Sequence, residues 1–226
     1  EPSWQAADMT LEDMIALYRA HSIDIAVPPF CSDELLTLYA NEGQDEACRR
    51  GQLIRDASSP MCTVAYAAGD ESVAVDARIV QVLRAFVDGY PVDVIGSDQM
   101  DVFMPGWHAS ASAARPSKLV AGLSVGALHL WPTPSQAGQV KLHVLRMPIK
   151  KLANEIDKPE IRPELHQALV EWMLYRAYSR DDPDMNSNTK AAIALQKFTA
   201  EFGQKPSGRN EQWVRDSAGH TPGPIA

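Results

Sequence analysis

The feature that most constrains this chain is a double switch in the period of its apolar residues. Helical spacing governs the first quarter, short alternating runs fill the stretch from Met61 to Met147, and helical spacing then returns as far as Phe202. A β segment held between two helical ones predicts an α+β fold, in which the N- and C-terminal helices form a bundle, the strands an inserted module and the last residues an extended C-terminal arm. The segments divide as residues 1–56 (N-terminal helical part), 57–150 (inserted β module), 151–203 (C-terminal helical hairpin packing with 1–56) and 204–226 (flexible C-terminal arm).

Residues 10–21 place Leu11, Met14, Ile15 and Tyr18 on one helical stripe, with Thr10 set to cap it. Ser32 is the expected N-cap of a second helix, because Asp33 and Glu34 then face its positive end. The second half of that helix, Asn41 to Arg50, is largely polar, so only a narrow buried face is expected there. In the middle third the alternating runs are Cys62–Tyr66, Ser72–Val75, Ile79–Val87, Val92–Ile95, Lys118–Val120, Ala127–Trp131 and Val140–Leu145. Asp88-Gly89 reads as a hairpin turn, and Ser97 to Phe103 as a short helix ended by Pro105-Gly106. With no long helices between the strands, an antiparallel sandwich or barrel-like sheet is expected.

Leu165, Ala168, Leu169, Trp172, Met173 and Tyr175 then define one helix, and Ala191, Leu195, Phe198 and Phe202 another, ended by Gly203. The acidic run Asp181-Asp182-Pro183-Asp184 separates the two as a solvated loop. Beyond Gly203 the chain is rich in Gly and Pro, with one large apolar pair, Trp213-Val214. Such a segment cannot offset its own ordering entropy, so it is either a floppy end or an arm that folds onto a partner, and the lone Trp, a good pocket anchor, favours the arm.

Composition excludes several functions. The formal net charge is -8, from 21 Lys plus Arg against 29 Asp plus Glu. A surface of that sign repels phosphate, so binding duplex DNA or membranes as the main task is disfavoured. No apolar stretch approaches the roughly 20 residues a membrane helix needs, and the first residues lack the regions of a signal peptide. Glu1 is not expected to be the translated start. Cys31, Cys48 and Cys62 form no C-x-x-C pair and read as buried free thiols. The six histidines show no metal-ligand spacing, so neither a metal nor a cofactor is expected.

Gly122-Leu123-Ser124-Val125-Gly126 matches the nucleophile-elbow pattern, and Asp157 and His166 follow in the chain order of a triad. An elbow needs a helix after the serine. Here Ala127-Leu128-His129-Leu130-Trp131 alternates and ends at proline, so a turn between strands is expected and catalysis is not. His108, near Asp101, has the chemistry of an acid–base residue, but a turn packed by Trp107 is the simpler expectation.

Three stretches carry a resemblance. Phe30-Cys31-Ser32-Asp33-Glu34-Leu35-Leu36, continuing through Asn41 to Arg50, resembles the N-terminal helical region of head-to-tail adaptor (connector) proteins of tailed bacteriophages. Leu169 to Ser179 and the Pro105-Gly106-Trp107-His108 turn are similar to the same family. The resemblance implies a structural virion protein in the neck, made in the host bacterial cytoplasm. It implies a cyclic homo-oligomer, a dodecamer of about twelve copies, joining the portal protein to a tail tube or nozzle protein. DNA would pass through the lumen without sequence-specific binding. A stopper or tail-completion protein is the neighbouring alternative, and a serine hydrolase using Ser124 the distant one. The residues expected to meet portal lie on the arm: Arg209, Trp213, Val214 and Arg215.

Overall fold

The computed structural model describes residues 8–23, 27–109, 112–180 and 187–216. In chain order its elements are α1 (Leu11–Ser22), α2 (Asp33–Gly51), β1 (Ile54–Asp56), β2 (Thr63–Tyr66), β3 (Ser72–Ala74), β4 (Ile79–Val87), β5 (Tyr90–Gly96) and α3 (Ser97–Phe103). After these come β6 (Ala113–Ala114), β7 (Lys118–Ala121), β8 (Ala127–Trp131), β9 (Thr133–Pro134), β10 (Gly138–Arg146), α4 (His166–Tyr178), α5 (Asn188–Phe202) and α6 (Gly208–Asp216). The fold is mixed α+β. The chain divides into two compact units: a helical one, Glu1–Ile54 with Pro148–Lys205, and a β one, Arg55–Met147 with Pro206–Ala226.

In the helical unit, Thr10 caps α1 reciprocally: its hydroxyl accepts from the Asp13 N–H, and its own N–H donates to the Asp13 carboxylate. Such a box satisfies two end groups of the helix and is worth about 1 kcal/mol. Ser32 caps α2 through the Leu35 N–H. Helix α4 packs against α1, α2 and α5. That surrounding explains why Leu169, Val170, Met173, Leu174 and Ala177 are all buried, which is more than the single broad face read from sequence. Helices α4 and α5 run antiparallel, pairing Tyr178 with Lys190 at one end and Trp172 with Phe198 further along. Ala194 takes the buried α5 position while Leu195 is half-buried on its flank. The acidic run 181–184 lies outside the described residues.

The polar half of α2 is the main departure in this unit. Gly43, Gln44, Glu46, Ala47 and Cys48 are all buried there, so the buried face is broad. Gly43 lets Trp172 approach closely: a Cβ at that position would lie 3.2 Å from Trp172 side-chain atoms. Gln44 Oε1 accepts from the Glu160 N–H, and Glu46 is neutralised by Arg50. The Gln44 oxygen and the Glu46 carboxylate thus find their partners inside the protein rather than in solvent, while Gln44 Nε2 is buried without a hydrogen-bond partner among the described residues.

In the β unit one eight-stranded sheet runs β1-β10-β4-β5-β7-β8-β3, with β2 also paired to β10, while β6 and β9 form a separate ladder. The consecutive strands β2 and β3 pack together although they lie at opposite ends of that path, so the sheet curls. Its buried interior includes Val73, Val87, Leu119, Leu130, Val140 and Leu142. Asp88 (φ 51°) and Gly89 (φ 84°) form the two-residue turn joining β4 to β5, the geometry whose twist suits a hairpin.

The sheet is not purely antiparallel. Strands β5 and β7 pair in parallel, in the register Asp93↔Lys118 to Gly96↔Ala121. A parallel pair needs a crossover of a dozen or more residues, and the segment from α3 to β7 supplies it. The short helix that makes this possible begins and ends where the sequence places it. The expected extended arm is also revised. Gly208–Asp216 is a helix, capped by Ser207, whose hydroxyl accepts from the Asn210 N–H.

Candidate assembly surfaces

The arm begins at a built junction in the helical unit. Gly203 ends α5 with φ 87°, a left-handed value that glycine adopts without strain. Arg50, on α2, is 4% exposed and donates to the Glu46 carboxylate at 2.9 Å, to Thr199 Oγ1 at 3.1 Å and to the Gly203 carbonyl at 3.3 Å. Its guanidinium also sits 5.1 Å from the Phe198 ring centre and 5.7 Å from that of Trp172. One side chain therefore ties α2, α5 and the root of the arm together.

Beyond that root, α6 belongs to the β unit and packs on β4. Beneath it is a pocket of about 140 Å³, lined by the β3–β4 connection, the start of β4, the 122–126 turn and Gln212 of α6. Gln81 lines this pocket, is 3% exposed, and its Oε1 accepts from no protein donor. Of the four arm residues chosen from sequence, Arg209 is exposed and Val214 half-buried. The Trp213 and Arg215 side chains lie outside the described ones, although both residues are in α6.

A second surface was not read from the sequence. Val102, Phe103 and Met104, where α3 ends, are 78%, 72% and 36% exposed. Leu123 and Val125, in the turn after β7, are exposed too. Because β5 and β7 are parallel, both segments leave the same end of the sheet. Exposed apolar groups gathered at one end of a sheet are candidates for a contact site. The run Val102-Phe103-Met104 directly before Pro105-Gly106 was the available signal.

The candidate chemistry resolves into structure. Ser124 lies in an exposed turn between the antiparallel strands β7 and β8, with Gly122 (φ 89°) and Gly126 (φ 73°) supplying the bends. A strand follows it, where an elbow requires a helix. Asp157 and His166 belong to the helical unit and have other duties there. The Asp157 carboxylate accepts from Lys150 Nζ and from the N–H groups of Ala153 and Asn154, donors that hold it well below the ordinary carboxylate range. His166 Nε2 donates to the Ile161 carbonyl at 2.9 Å. Trp107 is buried against Met100 and Val120, stacks on His108, and donates its indole N–H to Asp101 at 2.8 Å. The 105–108 segment is thus a packed turn.

Similar pairing fixes the edge of the sheet. Burial alone would raise the Asp56 carboxyl, but the Ser58 and Ser59 N–H groups and the Arg146 guanidinium, 2.6 Å away, overcome it and hold the group ionised far into acid. All three cysteines are buried and none is in a disulfide. Among the described residues no group of three or more His, Cys, Asp or Glu side chains is placed to hold a metal ion, and no helix is long and apolar enough to cross a membrane.

Two comparisons bear on these surfaces. The family model described as SU10 adaptor protein matches residues 9–222. No curated protein matches the chain.

Proposed function

The chain belongs to the SU10 adaptor protein family, a family of bacteriophage adaptors, and from that premise we propose that it is a structural component of the virion neck that joins portal to tail as a ring. The match across nearly the whole chain carries this reading, because it takes in both units and the arm. The ring is a closed homo-oligomer of about twelve copies, in which one face of each subunit meets a different face of the next. The exposed apolar end of α3 and the neighbouring turn are suited to such a contact. The helical part acts as a bundle and the curled sheet as a barrel-like module facing the tail tube or nozzle protein. The net charge of -8 favours a lumen that repels phosphate and lets DNA slide.

The arm makes the portal contact, with Arg209, Trp213, Val214 and Arg215 as the contacting residues. Burying one large side chain contributes about 1.5–3 kcal/mol, so a single arm holds weakly. A ring repeats that contact around the portal, and avidity makes the joint durable. Electron microscopy of the chain mixed with purified portal tests this directly. Rings stacked on portal are expected for the full chain and absent when residues 206–226 are removed. Unimpaired capture of portal by the shortened chain refutes the arm's role, and a full chain that stays monomeric with portal refutes the adaptor ring.

A further inference from the structure

We propose that the ring closes through one pair of surfaces on the β unit: the acidic and apolar outer side of α3 on one subunit seats against the basic outer face of strands β1, β10 and β4 on the next copy. The proposal rests on the ring reading and adds the face that receives α3. Its basis is a local excess of cations. On a chain of formal net charge -8, Arg55, Arg84 and Lys141 are exposed and make no ion pair among the described residues. Arg84 stands opposite His143 in the β4–β10 register, and Lys141 shares the face of His143 on β10. Arg55, on β1, lines a groove of about 290 Å³ together with Arg84 and His143. Leu83 and Arg84 also line an adjoining groove of about 420 Å³, with Phe86, Pro91 and Val92. The carboxylates that line these grooves are already taken: Asp56 by Arg146 at 2.6 Å and Asp93 by Lys118 at 3.2 Å. The positive charge of the face is therefore uncompensated.

A face that is both apolar and cationic calls for a partner that is apolar and negative, and α3 presents one. Asp98, Asp101 and Val102 lie on one side of that helix at spacings of three and four, Phe103 follows, and all four are exposed. Asp101 accepts from the Trp107 indole N–H and lies 3.5 Å from His108, whereas Asp98 makes no ion pair among the described residues. Helix α3 packs on β5 and β7, while the cations lie on β1, β10 and β4, further along the sheet. Donor and receiver are thus different patches of one subunit, as a head-to-tail ring requires and a two-fold dimer does not. Opposite charge on the two patches selects which faces meet and fixes their register.

Charge reversal tests the pairing. Arg55→Glu/Arg84→Glu and Asp98→Lys are made separately in the full chain, and ring formation is followed by mass photometry, with and without purified portal. Each variant is expected to melt as the parent does and to need at least a tenfold higher concentration to form rings. Mixing the two in equal amounts should restore assembly, because alternating subunits then meet acid to base at every junction. One chain carrying all three substitutions should assemble for the same reason. Rings that survive either reversal, or that mixing fails to restore, overturn the pairing and leave the ring itself standing. A parent chain that forms no ring, with portal or without it, removes the ring reading and the pairing together. Intact rings with lost binding of a duplex oligonucleotide by the arginine variant would assign the cations to DNA and also overturn the pairing.

Discussion

Replacing Arg50 by methionine isolates the junction at the root of the arm. The substitution keeps most of the aliphatic volume but deletes the guanidinium, which is 4% exposed, and strands the Glu46 carboxylate, which is 7% exposed. Leaving one member of a buried ion pair without its partner costs about 3–5 kcal/mol. Glu46 keeps a second cation, Arg49 at 3.3 Å, but that side chain is 38% exposed and offsets only part of the loss. The lower end, about 3 kcal/mol, is therefore expected. For a chain of this size each kcal/mol moves Tm by roughly 2–4 °C, which gives a fall of about 6–12 °C by circular dichroism. The sharper assay is the double variant Glu46→Gln/Arg50→Met. It removes the stranded charge and should recover at least half of the loss, because buried pairs are often replaceable by apolar or neutral groups. Hydrogen exchange at the Gly203 amide, bonded to the Thr199 carbonyl at 2.9 Å, should quicken in the single variant and slow again in the double. A single variant within about 1 kcal/mol of the parent, or a double variant no better than the single, would falsify the claim that this pair is held in a desolvated site.

Two further predictions concern the hairpin turn of the β unit. A Cβ at Gly138 would collide with the Tyr66 hydroxyl and the Asp88 carboxylate, so Gly138→Ala should break their 2.7 Å hydrogen bond and cost about 1–3 kcal/mol in urea unfolding; a neutral result would show that the strand end can shift freely. Burial, then the hydrogen bond to Asp88 and its charge, push the Tyr66 phenol up to about 12, whereas an unfolded tyrosine ionises near 10. Between those values the unfolded state holds fewer protons, so the Tyr66 contribution is complete below pH 10 and is lost as the pH rises to about 12. Alkaline unfolding of the parent and of Tyr66→Phe should converge across that window, and parallel curves would show that the phenol does not titrate there differently in the folded protein.

The helical boundaries were legible because they are written in local chemistry. Thr10, Ser32 and Gly203 act through side-chain or backbone preferences within a few residues of their own position, and the same holds for Asp88-Gly89. The strands were legible for the same reason, since alternation records which face is buried. Pairing was not. Nothing in Val92–Ile95 or Lys118–Val120 says that they lie side by side in parallel, because that choice depends on the path taken by the chain between them. The buried half of α2 was hidden for a related reason. Gln44, Glu46 and Arg50 look solvated in a sequence, and only their long-range partners, the Glu160 N–H and the Trp172 and Phe198 rings, show that they are enclosed.

The candidate surfaces divide along the same line. The arm was found through its departure from the surrounding composition, but its helix was missed. Ser207 sits in a Pro-Ser-Gly context that reads as a turn, and the capping bond to the Asn210 N–H becomes worthwhile only where β4 offers α6 a surface. A nine-residue helix has too few internal bonds to announce itself, because nucleation costs more than so short a run returns. The structure at the arm is thus conditional on what it touches, and local sequence rules describe unconditional preferences. In a protein that works by joining others, the segments least legible from sequence are those whose conformation is set by a contact.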